Sequence, residues 1–130
     1  MEEKLVEIIK LENGLTLEFY DASRPLAGDR WIVSMVASIE VGLTPEHFRG
    51  QNSAEMLLED IGAAIGDKTV YRYEKIRNFI SEAEKDKVFN GLKERFLDAN
   101  LRYLSSHEFP RKLILKKYQE AHGRSIRWKG

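Results

Sequence analysis

The densest group of side chains able to do chemistry lies between Asp21 and Trp31. Two carboxylates, two guanidinium groups and an indole share this short stretch, in the order Asp21, Arg24, Asp29, Arg30, Trp31. Arg24 and Arg30 could hold a carboxylate or a phosphate with paired N–H groups, since the guanidinium fork matches both anions. Alternatively, Asp21 and Asp29 pair with these arginines and fasten the ends of neighbouring strands. The sequence favours this structural interpretation and leaves the binding interpretation open.

Histidines could add metal-binding or acid–base chemistry, but their spacing does not indicate it. His47, His107 and His122 lie in three separate segments, and no two of them have the four-residue spacing of a helical metal site. A site assembled from distant segments would draw on Glu46 and Glu108, which are adjacent to two of them. We expect surface histidines, no metal site and no cofactor.

The sequence contains no pattern that identifies a particular enzyme. It has no cysteine, which excludes thiolate nucleophiles and thiolate metal sites. Gly62 and Gly66 lack the Gly-Lys-Ser/Thr ending of a phosphate-binding loop. An enzyme that acts on a small molecule through Asp21, Asp29, Arg30 and His47 is for this reason the least favoured of the three functional hypotheses considered for the chain.

Charge is distributed unevenly along the chain, although the net charge is zero. Residues 1–65 hold 12 acidic and 5 basic side chains, whereas residues 66–130 hold 9 acidic and 16 basic ones. The basic excess is steepest near the C-terminus, at Lys112, Lys116, Lys117, Arg124 and Arg127. Such asymmetry can mark a surface for a partner, or the two halves neutralise each other within the fold. The first interpretation predicts docking to another protein or to a second copy of the chain.

Nucleic-acid binding is the second hypothesis. The basic C-terminal segment could follow a phosphate backbone. One predicted strand also combines rings that could stack on bases with cations that could hold phosphates, at Tyr71, Arg72, Tyr73 and Arg77. The glycine and phenylalanine frame of an RNP motif is absent, however, and the whole chain is not strongly basic. Core aromatic residues with charges at the sheet edge are the simpler interpretation.

The composition predicts one cytoplasmic domain. A length of 130 residues is typical of a single core, with sheet over 1–80, helices over 81–123 and a basic tail over 124–130. The absence of cysteine fits a reducing compartment. The acidic first residues lack the pattern of a signal peptide, and no apolar run approaches the roughly 20 residues of a membrane helix.

Alternating apolar residues predict four strands and the turns between them. The strands cover residues 5–11, 15–21, 31–41 and 69–80. Asn13-Gly14 predicts a type I′ hairpin turn, in which both residues take positive φ. Residues 22–30 read as a loop, and a bulge near Glu74 would reconcile two apolar sets on opposite faces of the last strand.

Helical spacing predicts three helices. A short helix covers about 53–65 with Ser53 as its cap, and a longer one covers 81–104 with a capping box formed by Ser81 and Glu84. A third begins at Pro110 and ends at Gly123. The order predicts an α+β fold: a four-stranded antiparallel meander sheet, a short helix inserted before the last strand, and two C-terminal helices packed on one face.

The stretch from Asn13 to Trp31, with Arg77-Asn78-Phe79-Ile80 and Phe109-Pro110, resembles a small bacterial protein family of unknown function. The resemblance covers most of the chain and implies a bacterial origin, but it implies no activity and no site residues. The leading hypothesis is a non-enzymatic binding or interaction module whose partner is another protein or a second copy.

Overall fold

The computed structural model describes the backbone of residues 3–48 and 54–129, and the side chains of residues 3–48 and 58–121. It contains five strands and three α-helices, with two short 3₁₀ turns at Pro45–Phe48 and Glu82–Glu84. The strands are β1 (Lys4–Lys10), β2 (Thr16–Asp21), β3 (Arg24–Ala27), β4 (Arg30–Gly42) and β5 (Lys68–Ser81), and the helices are α1 (Ala54–Ile65), α2 (Lys85–Leu104) and α3 (Glu108–Lys129). The predicted α+β class with an antiparallel sheet is confirmed.

Strand β4 is the centre of the sheet. β2 and then β3 pair antiparallel along one of its edges, and β5 pairs antiparallel along the other for almost the whole length of β4. In the described part of the chain, β1 pairs only with β2. The predicted meander is therefore present, with one extra short strand in line with β2.

That extra strand lies in the segment predicted as a loop. Arg24–Ala27 pairs with the start of β4, and Ala27 faces Arg30 across a two-residue turn. Gly28, the first residue of this turn, has a φ of 58°, the conformation that a type II′ hairpin asks of its first position. Pro25 concealed the strand from sequence reasoning, since proline is compatible with strands only at restricted positions.

The first hairpin turn is where predicted, but its type is not. Gly14 has a φ of 89°, whereas Asn13 has no positive φ, so type I′ is wrong. The loop is closed by the amide of Leu11 bonded to the carbonyl of Leu15 at 2.8 Å. Asn13 contributes its side chain instead: its Nδ2 donates to the carbonyls of Leu104 and Ser106 at 2.8 and 2.7 Å.

One core lies between the inner face of the sheet and the helices. Alternate residues of β2 and β4, from Leu17 and Phe19 to Met35 and Ile39, are fully buried there. α2 contributes Phe89, Leu92 and Phe96, α3 contributes Phe109, Leu113 and Ile114, and α1, which packs on α3, contributes Ile61.

The predicted bulge in β5 is present but misplaced. Pairing with β4 is regular from Lys68 to Arg77, and the register shifts only between Arg77 and Ile80, where two residues face one residue of β4. Phe79 sits in this bulge with a φ of 64°. The bulge therefore falls at the end of β5, next to α2, and not near Glu74.

Two predicted helix ends are also corrected. Ser81 makes no side-chain capping bond, so the capping box does not form; the amide of Glu82 instead donates to the carbonyl of Asp29 at 2.7 Å. α3 continues past Gly123 to Lys129, since a single glycine costs a helix only about 1 kcal/mol and no proline follows it. Ser53, the predicted cap of α1, lies outside the described residues.

Candidate functional site

A groove of about 1000 Å³ opens between the end of β5 and the first half of α2. Strand β5 contributes its last residues and α2 contributes a stripe that repeats every three or four positions. The lining side chains belong to Arg77, Phe79, Ile80, Ser81, Glu84, Lys87, Val88, Asn90, Gly91, Glu94 and Arg95. We call this feature the α2–β5 groove.

Phe79 contributes an exposed aromatic ring to the groove, and its backbone has an unfavourable conformation. Its side chain is 66% exposed, and its positive φ is a genuine outlier for a bulky residue. Arg30 lies over the ring, with its guanidinium carbon 5.4 Å from the centroid. Backbone outliers of this kind concentrate at functional sites, where the surrounding structure holds them in place.

Gly91 is a second unfavourable choice on the opposite wall. It lies in the interior of the 20-residue helix α2, where glycine costs about 1 kcal/mol relative to alanine. Close packing does not require it, because an added Cβ would lie 3.6 Å from Nη1 and Nη2 of Arg95, an ordinary contact. The guanidinium group of Arg95 lies over this position of the helix.

Unpaired charges line both walls. Arg77, Lys87 and Arg95 have no carboxylate within 4.0 Å among the side chains of residues 3–48 and 58–121. Glu84 and Glu94 also line the groove, and among the same side chains no cation lies within 4.0 Å of either carboxylate. Lys75, exposed on the same face of β5 as Arg77, adds a further cation.

The outer edge of β5 runs beside this groove. β5 has 14 residues, and within the described part of the chain it pairs only with β4. Its other edge therefore presents free backbone N–H and C=O groups, which can template pairing with another strand. Val70 and Ile76 are exposed along this strand together with Phe79.

Four of the predicted site residues belong to the β3–β4 hairpin, next to the end of β5 and the start of α2. Trp31 donates its Nε1–H to Oε1 of Glu82 at 3.2 Å, and Lys85 lies 4.7 Å from the centre of its ring. Asp29 pairs with Arg30 at 3.6 Å. These contacts fasten the β3–β4 turn to the start of α2. Arg24 lies further back, where its backbone pairs with Ile32.

The enzyme hypothesis required residues that the fold keeps apart. Arg30 and Gly42 are the two ends of β4, about 40 Å apart at ~3.3 Å per residue. Asp29 lies beside the first end and His47 beyond the second. Asp21 instead accepts a bond from the amide of Ser23 at 2.9 Å. These residues do not form one site.

Two histidines line a second, smaller cleft. His47 and His107 line a cavity of about 480 Å³ together with Glu46, Glu108 and Arg111. Burial lowers the pKa of His47, against the opposing effects of Glu46 and of a bond to the backbone of Gly42. Within the described residues, no group of three histidines or carboxylates is arranged to hold a metal ion. His122 lies outside the described side chains.

The residues of the nucleic-acid hypothesis are divided between the two faces of the sheet. Tyr71 and Tyr73 are half-buried on the inner face, against Phe109 at 5.5 Å and Phe96 at 4.9 Å between ring centroids. Arg72 lies on the outer face and pairs with Glu3, which lowers the pKa of that carboxyl group. Arg77 lines the α2–β5 groove. These four side chains do not share one surface.

The predicted basic segment lies on α3. Lys112 pairs with Glu108 one helical turn earlier at 3.3 Å, while Lys116 is exposed and Lys117 is half-buried. The side chains of Arg124 and Arg127 lie outside the described residues. In the described part of the chain, no helix has the length and apolar character needed to cross a membrane.

Sequence reasoning missed the residues that shape the groove. Lys87, Gly91 and Arg95 carry no recognisable motif, yet a glycine inside a strong helical pattern is a visible signal. Its role becomes visible only when the strand on the other side of the groove is known.

Comparison of the chain with protein-family models, with curated proteins and with solved structures found no match to any of them.

Proposed function

We infer that this protein is an interaction module that binds an extended segment of another protein at the α2–β5 groove. One observation carries the proposal: within the described residues one edge of the 14-residue strand β5 has no partner strand, and the groove beside it is lined by two locally unfavourable residues, Phe79 and Gly91. Both residues cost the fold free energy without a packing reason, which is typical of positions kept for function.

Strand addition is the binding mode that fits this shape. An extended segment would bond to the free N–H and C=O groups of β5, which supplies affinity that does not depend on sequence. Every second side chain of that segment would point to the helical side of the sheet, beneath α2. The apolar surface of Phe79, Ile80 and Val88 then receives an apolar side chain.

The proposal has the same class of function that the sequence predicts, a non-enzymatic interaction module, but places the binding site at the α2–β5 groove. The expected docking segment was the basic C-terminal helix with the acidic first half of the chain, and it stays a prediction. Nucleic-acid binding stays an alternative, and fluorescence anisotropy with single- and double-stranded oligonucleotides at low salt tests it. A cytoplasmic location is also part of the proposal, and cell fractionation tests it.

Selection from a random peptide library displayed on phage tests the proposal. The bait is the full chain, and each selected peptide is measured again against Gly91→Leu, which fills the groove. Ala99→Leu is the matched control, since Ala99 is exposed on α2 outside the groove. We expect selected peptides to bind the wild type and the control equally, and Gly91→Leu at least about tenfold more weakly.

Strand addition has its own control. A selected peptide methylated on alternate backbone nitrogens loses the bonds to β5 in one register and keeps them in the other. One methylated series should therefore lose binding while the other retains it. A library that yields no peptide sensitive to Gly91→Leu, or two series that bind equally, would contradict the proposal.

A further inference from the structure

The two edges of the sheet are protected to different degrees. On one side, β1 carries a bulge at Val6, and β3 has only four residues, of which Pro25 has no N–H to donate. On the other side, β5 is regular from Lys68 to Arg77, and in the described part of the chain no strand pairs with its outer edge. A long regular edge attracts other strands unless something covers it.

The face of β5 that is turned away from the helices has a self-complementary sequence. Tyr71 and Tyr73 are on the inner face, so the alternate residues lie on the outer one: Val70, Arg72, Glu74 and Ile76. All four are exposed. Their order is apolar, cationic, anionic, apolar. In an antiparallel pair of such strands, each charge can oppose its opposite and each apolar residue can oppose the other.

A two-fold axis at Tyr73, perpendicular to the sheet, produces this arrangement. The axis makes two copies of β5 antiparallel and keeps outer face beside outer face, and residues equally distant from Tyr73 oppose each other. Arg72 then opposes Glu74 of the second copy. Val70 opposes Ile76 in the same way.

No neighbouring register has this property. Moving the axis by one residue places Arg72 opposite Arg72, or Glu74 opposite Glu74. Like charges directly opposite each other destabilise a strand pair. The inner face is compatible with the axis at Tyr73, because there Lys75 opposes a tyrosine and Arg77 opposes a threonine. No two cations oppose each other.

The bulge at Phe79 lies where this pairing has to end. Arg77 is the last residue before the register shift, and Thr69 is equally distant from Tyr73 on the other side. The pairing therefore covers residues 69–77 of both copies, which is almost the whole regular part of the strand. Beyond Arg77 the bulge disrupts the ladder and bends the strand.

The two charged residues have partners within the chain that leave them able to bind a second copy. Glu3 binds Nη1 and Nη2 of Arg72, and a guanidinium group has further N–H groups to donate. Ser34 donates its hydroxyl to Oε2 of Glu74 at 2.7 Å, which leaves Oε1 as an acceptor. Both side chains are thus held on the outer face before any pairing.

We propose that the edge of β5 pairs with β5 of a second copy across a two-fold axis at Tyr73. The outer face of the dimer then holds two Arg72–Glu74 ion pairs. Two Val70–Ile76 contacts flank them. The inference rests on the proposed function for its role, since it names a further partner of the same strand edge: a bound segment has to displace the second copy. One strand pair is a small interface, so we expect a weak dimer that exchanges readily.

Two variants of opposite charge test the register by sedimentation velocity. The wild type should show a dimer fraction that rises with concentration. Arg72→Glu brings carboxylates of both copies together and Glu74→Arg brings cations together, so each variant alone should dimerise at least about tenfold more weakly. Mixed in equal amounts, they should form a heterodimer with about wild-type affinity, because every pair is again one of opposite charge. A folding defect cannot imitate this gain.

A disulfide reports the same register by a second measurement. The chain has no cysteine, so Val70→Cys and Ile76→Cys each introduce a single thiol. Oxidised together with diamide, the two variants should give a mixed disulfide dimer on non-reducing electrophoresis. Each variant alone should stay monomeric there, because its two thiols would be about 20 Å apart along the paired strands, too far for a disulfide.

The remaining outcomes separate this inference from the proposed function. A wild type that is monomeric at about 1 mM, charge variants that do not associate on mixing, or a disulfide between two copies of one cysteine variant would overturn the dimer. Phage-selected peptides that bind such a monomer leave the proposed function intact. A dimer whose phage selection yields no peptide sensitive to Gly91→Leu keeps this inference and contradicts the proposed function. Equal binding of a selected peptide to the disulfide-linked dimer and to the monomer would show that the two partners do not share the edge.

Discussion

At the scale of single residues, Phe79 combines two properties that stability alone does not favour. A bulky side chain with positive φ costs about 1 kcal/mol or more, and about two thirds of the residue is exposed. Its contacts therefore recover little of that cost. A role in binding would explain why the residue has a conformation that costs stability.

Replacing Phe79 separates the backbone strain from the ring. We expect Phe79→Gly to raise the free energy of unfolding by about 0.5 kcal/mol, because glycine adopts positive φ without strain and the exposed ring contributes little. Phe79→Ala keeps the strain and loses only this ring, so it should leave the stability nearly unchanged. Urea denaturation measures both, and equal destabilisation by the two variants would show that the ring itself supports the fold.

His47 is the residue for which pH dependence is expected. Burial lowers its pKa below the ordinary value of 6.5, so the folded protein binds this proton less readily than the unfolded chain. The contribution of His47 to stability is therefore complete above pH 6.5 and is lost as the pH falls from there through the folded pKa.

An NMR titration of the His47 imidazole should give a midpoint below 6.5. Urea denaturation between pH 7.5 and 5.5 should show a decrease in stability that is smaller in His47→Gln. An unchanged pH dependence in this variant, or a midpoint above 6.5, would contradict the direction of the shift.

At the scale of elements, α2 serves as core helix and groove wall at once. Phe89, Leu92 and Phe96 are buried against the sheet, while Gly91 and Arg95 face the groove. Ala99 and Tyr103 continue the helical spacing of Leu92 and Phe96, yet both are exposed. The core side of α2 ends with Leu104, which is buried, while its groove side is confined to the residues up to Arg95.

Gly91→Ala should stabilise α2. We expect the free energy of unfolding to rise by about 0.5–1 kcal/mol, since alanine is favoured in helix interiors and its Cβ would meet only Arg95 at ordinary distance. Ala99→Gly, the reverse change at an exposed position of the same helix, should lose a similar amount. Thermal unfolding of the pair measures this, and a destabilised Gly91→Ala would mean that the fold itself requires the glycine.

At the scale of the whole molecule, Asn13 joins the first hairpin to the junction of the last two helices. Its Nδ2 donates to the carbonyls of Leu104 and Ser106, and its Oδ1 accepts from the amide of Leu15 at 3.1 Å. The two bonds made by Nδ2 connect residues 91 and 93 positions apart in the chain. They fix the α2–α3 connection over the edge of the core.

Asn13→Ala removes all three of these bonds. We expect a loss of about 2–3 kcal/mol, because each bond contributes roughly 1 kcal/mol and the two carbonyls lose a partner. Asn13→Asp keeps the acceptor for Leu15 but places a carboxylate against the carbonyls, so it should rescue nothing. Urea denaturation decides this, and a loss below about 0.5 kcal/mol in Asn13→Ala would show that water replaces the side chain.

The sequence by itself determined the order and type of the main elements, since apolar periodicity and turn residues are local signals. The strands of the meander, the three helices and the inward face of β4 follow from alternation and helical spacing. Even the Asp29–Arg30 pair was among the expected contacts.

Only the tertiary structure decided where those elements leave a groove. The bulge at Phe79 depends on how β5 registers against Trp31 of β4, and the role of Gly91 depends on which wall faces it. Neither is encoded within one window of sequence, because both arise from contacts between segments that pack only after the sheet has formed. The groove therefore depends on packing between distant segments, whereas the strand and the helix that border it follow from local sequence patterns.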